Sequence, residues 1–127
     1  MEHTELESRV KWIDYKGKKI LVIDFSNLIR SEGIPVLHYE VEVLKKISNE
    51  KILLLINLTN GVANSEFMKA AKELGKEYIV PKVEKQAFFG LRVGQSVLLK
   101  AYNTFTGSGK ISKVCATEDE AKEWLVS

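Results

Sequence analysis

Apolar and polar positions change their period several times along the chain, and each change marks an element. Residues 9–15 alternate, with Val10, Trp12 and then Ile13 or Tyr15 against Arg9, Lys11 and Asp14, the pattern of a strand with one wet face. Gly17 among Lys16, Lys18 and Lys19 is a tight-turn signal. KILVIDF at 19–25 is a second, more apolar strand, so the pair predicts an antiparallel hairpin with residues 9–15 towards the sheet edge. Residues 26–33 predict a polar loop. Pro35 then sits where a first helical turn tolerates proline. Ile34, Leu37, Val41 and Leu44 recur at helical spacing, widened by Val36, Val43 and Ile47. His38, Glu42, Lys45, Lys46 and Asn49 fall on the opposite face, with Glu42 and Lys46 as an i,i+4 pair.

The second half is organised around Lys51–Ser65, KILLLINLTNGVANS. Its apolar run Ile52–Ile56 predicts a strand buried on both faces. Asn57, Thr59, Asn60 and Gly61 form a polar turn, and Asn64 or Ser65 caps the helix that follows. Phe67, Ala70, Ala71 and Leu74 give that helix its apolar face, and Gly75 stands where a left-handed C-cap is favoured. Residues 76–82 predict a connector stopped by Pro81, and residues 85–90 a short strand around Ala87, Phe88 and Phe89. After a loop at 90–94, Val93, Val97, Leu98, Ala101, Tyr102 and Phe105 mark a third helix. TGSGK at 106–110 is a turn, and residues 111–116 form a last strand containing Cys115. Thr117 and Glu120 make a capping box, with Glu118, Asp119 and Glu120 placed against the positive end of the helix dipole. Trp124 and Leu125 are the expected anchors of this final helix.

The order ββαβαβαβα predicts an α/β fold, a five-stranded mixed sheet in which only the first strand is antiparallel, with flanking helices. Residues 9–127 are expected to form one domain and residues 1–8 a flexible tail. The loops after Phe25, Asn57 and Gly90 emerge at the same end of the sheet. That end gathers Ser26, Asn27, Asn57, Thr59, Asn60, Asn64, Ser65, Arg92 and Ser96 as candidate partner- or ligand-binding residues, since open α/β sheets place ligands outside their strand ends.

Composition narrows the functions. The net charge of the 127 residues is +2, with acids and bases mixed, so no clustered basic face points to nucleic acid. No apolar run approaches the roughly 20 residues of a membrane span. The acidic, polar N-terminus is not a signal peptide, and a single cysteine allows no internal disulfide and fits a reducing, cytoplasmic setting.

Catalytic chemistry finds few candidates. TGSGK lacks the phosphate-loop spacing, because residue 104 is Thr and Ile111 follows the lysine. Cys115 lies mid-strand, and the two histidines, His3 and His38, stand apart from it, so no nucleophile–base pair forms. No His, Cys or carboxylate cluster has metal-ligand spacing, and no cofactor is expected. Asp24 is read as a turn acceptor for the Ser26–Asn27 loop. GLRVGQS at 90–96 has the glycines, arginine and helix start of a weak anion site.

The element order and the polar loop after the central strand resemble the STAS fold of bacterial anti-sigma-factor antagonists. LLKAYNTFTG (98–107) and TEDEAKEWL (117–125) resemble its SpoIIAA-like branch, often grouped with the lipid-binding CRAL-TRIO fold. The resemblance runs over about residues 9–125. In antagonist STAS domains the helix after the central strand opens with Asp-Ser, and that serine is phosphorylated and controls partner docking. Ser65 matches the serine, while Asn64 replaces the aspartate and Phe67 the following glycine. The resemblance implies a non-enzymatic regulatory or binding module that docks a protein partner through the loop end and the helix near Ser65. The CRAL-TRIO grouping implies the alternative, a carrier or sensor of a small hydrophobic or anionic ligand. An enzyme is the third reading. A large apolar cavity between sheet and helices favours the ligand carrier; a filled core under a polar loop face favours the docking module.

Overall fold

The apolar run Ile52–Ile56 is buried along its whole length, and the rest of the sheet is laid down on either side of it. The computed structural model describes residues 1–48 and 50–127; Asn49, expected on the polar face of the first long helix, lies outside the described residues. The elements are α1 (His3–Arg9), β1 (Val10–Tyr15), β2 (Lys18–Asp24), β3 (Ile29–Arg30), α2 (Ile34–Lys45), β4 (Ile52–Asn57), β5 (Val62–Ala63), α3 (Ser65–Leu74), β6 (Val83–Phe89), α4 (Ser96–Thr106), β7 (Ser112–Cys115) and α5 (Glu118–Val126). The main sheet has the order β1-β2-β4-β6-β7. Only β1 is antiparallel, pairing Val10 with Ile23 through Tyr15 with Lys18; the other three pairings are parallel. The five-stranded mixed sheet predicted from the sequence is the one that forms.

Because each parallel crossover steps one strand further in the same direction, right-handed connections put their helices on one face. That face carries Leu21, Ile23, Leu54, Ile56 and Phe88, packed against residues of α2, α3 and α4 such as Val36, Leu37, Ala71 and Leu99. The alternate residues Ile20, Leu53, Leu55, Ala87 and Phe89 point the other way and are covered by α5 through Ala121 and Leu125. The period-2 alternation of the strands thus splits the core into a thick side covered by α1–α4 and a thin side covered by α5.

Several local expectations are corrected. The segment expected as a flexible tail contains α1, which is helical because His3–Glu7 (3.0 Å) and Glu5–Arg9 (3.1 Å) pair at i,i+4 and Leu6 packs against the main core. Residues 26–33 and 61–63 are not plain loop: β3 and β5 pair in parallel as a separate two-stranded ladder. Gly75 is not a left-handed cap. Its φ of −61° and ψ of −48° continue the helix, which runs on as a wider π-type turn over Gly75–Ile79. Glu42 pairs with Lys45 at 3.5 Å instead of Lys46. In α4 the predicted stripe is offset: Val93 lies before the helix, Val97 and Phe105 are 70% and 46% exposed, and Leu99 is the buried residue. Trp12 on edge strand β1 is 42% exposed.

Among the described residues, no helix is long and apolar enough to cross a membrane.

Candidate functional site

The strand ends expected to carry function do come together, and many of their polar groups are paired locally. Asp24 Oδ1 accepts from the Ser26 N–H at 2.8 Å, the turn role predicted for it. Arg9 Nη1 donates to the carbonyls of Asp24 (3.1 Å) and Ser26 (3.0 Å). The Asn27 N–H donates to the Thr59 carbonyl at 2.9 Å. Asn57 Oδ1 accepts both from the Thr59 N–H (3.0 Å) and from its hydroxyl (2.7 Å). Arg92 reaches Asn60 Oδ1 at 3.3 Å, and its own N–H donates to Gln95 Oε1 at 2.8 Å. Asn27 and Asn60 hold φ of 63° and 57°, a left-handed conformation that asparagine tolerates better than most residues. These residues lock three loops to one another and leave few polar atoms converging on a shared point.

At the start of α3 the two cap candidates separate. Asn64 is the cap: its Oδ1 accepts from the Phe67 N–H at 2.9 Å. Ser65 is the first helical residue and is exposed. Ser96, the first residue of α4, is exposed as well.

Behind these loops lies a feature the sequence reading named only as a condition. A pocket of about 130 Å³ opens between the α2–α4 layer and the sheet. Its floor is Leu54 and Ile56 of β4 with Gln86 and Phe88 of β6. Leu37 and Glu40 of α2, Ala71 of α3, and Leu99 and Tyr102 of α4 form its walls. Leu28, Arg30 and Val62, on and beside the β3–β5 ladder, line the part nearest the strand ends. Small residues make the room. Gly33, Gly61, Ala63 and Ala71 line the space, while Phe25 and Phe67 meet edge to face at 5.5 Å beside it. A Cβ at Gly33 would stand 3.1 Å from Phe25 and closer still to the Phe67 ring, so only glycine lets α2 begin there.

Two titratable groups break the apolar lining. Glu40 is 3% exposed, and burial alone pushes its carboxyl up to about 8. Burial, and then the nearby Glu40 charge, raises the Tyr102 hydroxyl above the ordinary tyrosine range. The amide of Gln86 is 1% exposed and donates through Nε2 to Ser112 Oγ at 2.7 Å. Sequence reading passed over Glu40, although the signal was present: it stands three residues after Leu37 and four before Leu44, inside the apolar stripe of α2.

The other candidates are placed plainly. Cys115 is buried at the end of β7, and burial, with Glu120 adding to it and Lys113 opposing, pushes its thiol up. His38 is exposed on α2. Gly107 ends α4 with φ of 72°, so TGSGK is the predicted helix stop. Among the described residues, no group of three or more His, Cys, Asp or Glu could hold a metal ion.

A sequential five-stranded sheet with its crossover helices α2–α4 on one face and α5 on the other is a SpoIIAA-like, STAS-type fold. The chain shares it with the crystal structure of an uncharacterized protein of the DUF3478 family, with a SpoIIAA-like fold, from Shewanella loihica PV-4; the two superpose with a TM-score of 0.67 at 16% identity over 91% of each chain. No family model matches the sequence, and no curated protein matches it.

Proposed function

We propose that this chain is a non-enzymatic binding module that carries or senses a small, largely apolar ligand, held between the sheet and the α2–α4 layer. The observation that supports this is the pocket itself. It is an open pocket of about 130 Å³ walled by leucine, isoleucine and phenylalanine, apolar space that the chain's own side chains leave unfilled although interiors are normally close-packed. An engineered apolar cavity of about 150 Å³ stays dry and takes up benzene, which sets the scale of a suitable body. Docking of a protein partner through the loop end has less to build on, because the side chains of Asn57, Thr59, Asn60, Asn64 and Arg92 are already paired with one another or with nearby backbone. No pairing of Cys115 with a histidine supports a catalytic reading.

Toluene titrated into isotope-labelled protein tests the proposal. Saturable amide shifts should cluster at Leu54, Ile56, Ala71, Phe88 and Leu99, and Ala71→Met, which fills the space, should remove them. Shifts that are scattered and do not saturate, or that survive Ala71→Met, would show that the pocket holds no ligand.

A further inference from the structure

Glu40 sets a condition on what the pocket accepts. It lines the pocket and is 3% exposed; no side-chain hydrogen bond or ion pair joins its carboxyl to another described residue, and since no fully buried side-chain oxygen is left without a partner, its oxygens face the pocket space. Buried carboxylates are normally paired, because an isolated one is costly in apolar surroundings. The other lining groups that titrate or carry charge are Tyr102 from α4 and the exposed Arg30 from β3. The sheet contributes apolar side chains and the neutral amide of Gln86, and α3 contributes none that titrate. Resting on the reading of the pocket as a ligand site, we propose that its ligand is a small apolar amine, whose ammonium group pairs with Glu40 while its hydrocarbon body fills the space between sheet and helices.

Charge balance selects this head group. An ammonium ion beside the Glu40 carboxylate leaves the buried pair neutral. A carboxylate ligand could take neutral hydrogen bonds from the protonated Glu40 and from Tyr102, but its charge would be buried with no buried cation to meet it, Arg30 being exposed. An alcohol could hydrogen-bond to Glu40, but a charge-assisted bond is roughly twice as strong as a neutral one. A plain hydrocarbon leaves the carboxyl unpaired. The pairing is also linked to protons. In the empty pocket the carboxyl titrates at about 8, so at pH 7 it holds a proton that must leave when an ammonium ion binds.

Benzylamine, benzyl alcohol and toluene share one ring and differ in the group attached, so they test the head group directly. Calorimetric titration at pH 7 should show benzylamine binding at least ten-fold tighter than either neutral compound, with about one proton released, read from two buffers of different ionisation heat. Glu40→Gln should remove that preference and the proton release. If toluene binds and benzylamine binds no better, or if Glu40→Gln keeps the preference, the amine assignment is wrong and the apolar pocket stands. If none of the three binds, both readings fall together. The comparison within the unmodified protein needs no variant, so a Glu40 substitution that misfolds does not block the test.

Discussion

Tyr102 rests on Gly75: a Cβ built at residue 75 would lie 2.9 Å from both Cε1 and Cζ of the tyrosine ring and closer still to its hydroxyl. The backbone at residue 75 has right-handed helical angles at the start of the π-type turn, and in a helix alanine is favoured over glycine by about 1 kcal/mol. The glycine is there for the space above it. Gly75→Ala should therefore destabilise by about 1–3 kcal/mol, the range for overpacking, despite its better helix propensity. A double-mutant cycle with Tyr102→Ala, followed by denaturant unfolding, should give a coupling of at least about 1 kcal/mol. A neutral or stabilising Gly75→Ala would place the ring elsewhere.

Glu40 should make stability depend on pH in a direction opposite to the usual carboxylate. Its folded-state value is raised to about 8 from an ordinary 4.5. Between those limits the folded protein holds a proton that the unfolded chain has lost. This contribution to stability is therefore fully present below about pH 4.5, falls as pH rises, and is gone above about pH 8. The slope inside the window is at most about 1.4 kcal/mol per pH unit. Glu40→Gln lacks it, so the stability of the variant relative to the unmodified protein should climb from pH 5 to pH 8 in urea titrations. A difference that stays flat across that range would show a carboxyl that is not desolvated.

The last helix is held by Leu125, with Trp124 in a secondary role. Leu125 is 1% exposed and packs with Ala121 on the thin side of the sheet. Trp124, the anchor the sequence suggested, is partly exposed, with the Lys85 ammonium 5.0 Å from its ring centroid. Leu125→Ala should cost about 2–5 kcal/mol, and Trp124→Ala less. Thermal unfolding of the two variants gives the order directly, and the reverse order would overturn this assignment.

Asn64 and Ser65 should separate in the same way. Asn64→Ala removes the bond to the Phe67 N–H and should cost about 1 kcal/mol. Ser65→Ala should fall within about 0.5 kcal/mol of wild type, as exposed sites do. Ser65→Asp should be equally mild, since a negative charge is favourable in a first helical turn. A loss above about 1 kcal/mol in either Ser65 variant would give that hydroxyl a structural role.

The parts of the fold that were legible are those in which one physical rule acts alone. The unbroken run Ile52–Ile56 cannot be solvated and must lie inside the sheet, and the Thr117–Glu120 box marks a helix start whatever surrounds it: Thr117 Oγ1 accepts from the Glu120 N–H at 3.2 Å, while the Glu120 carboxylate takes the Ala116 N–H at 2.9 Å. Gly75 misled because glycine serves two ends, conformational freedom and close approach, and only a neighbour 27 positions away, Tyr102, decides between them. Glu40 was missed because a glutamate in an apolar stripe resembles an edge residue until the helix is rolled onto the sheet. The strand-end loops do lie together, without the crevice of a sheet whose strand order reverses. Such crevices open where successive crossovers reverse direction, and in the order β1-β2-β4-β6-β7 they never do.

That unreversed order bears on how the molecule is built. Each parallel strand is laid beside the one made just before it, so no strand has to be inserted between two that are already paired. The sheet can grow by addition at a single advancing edge, in the order in which the chain leaves the ribosome. A nascent chain halted after Phe89 already holds β1, β2, β4 and β6, and it lacks both α4 and the β7–α5 unit that seals the growing edge and the thin side of the sheet.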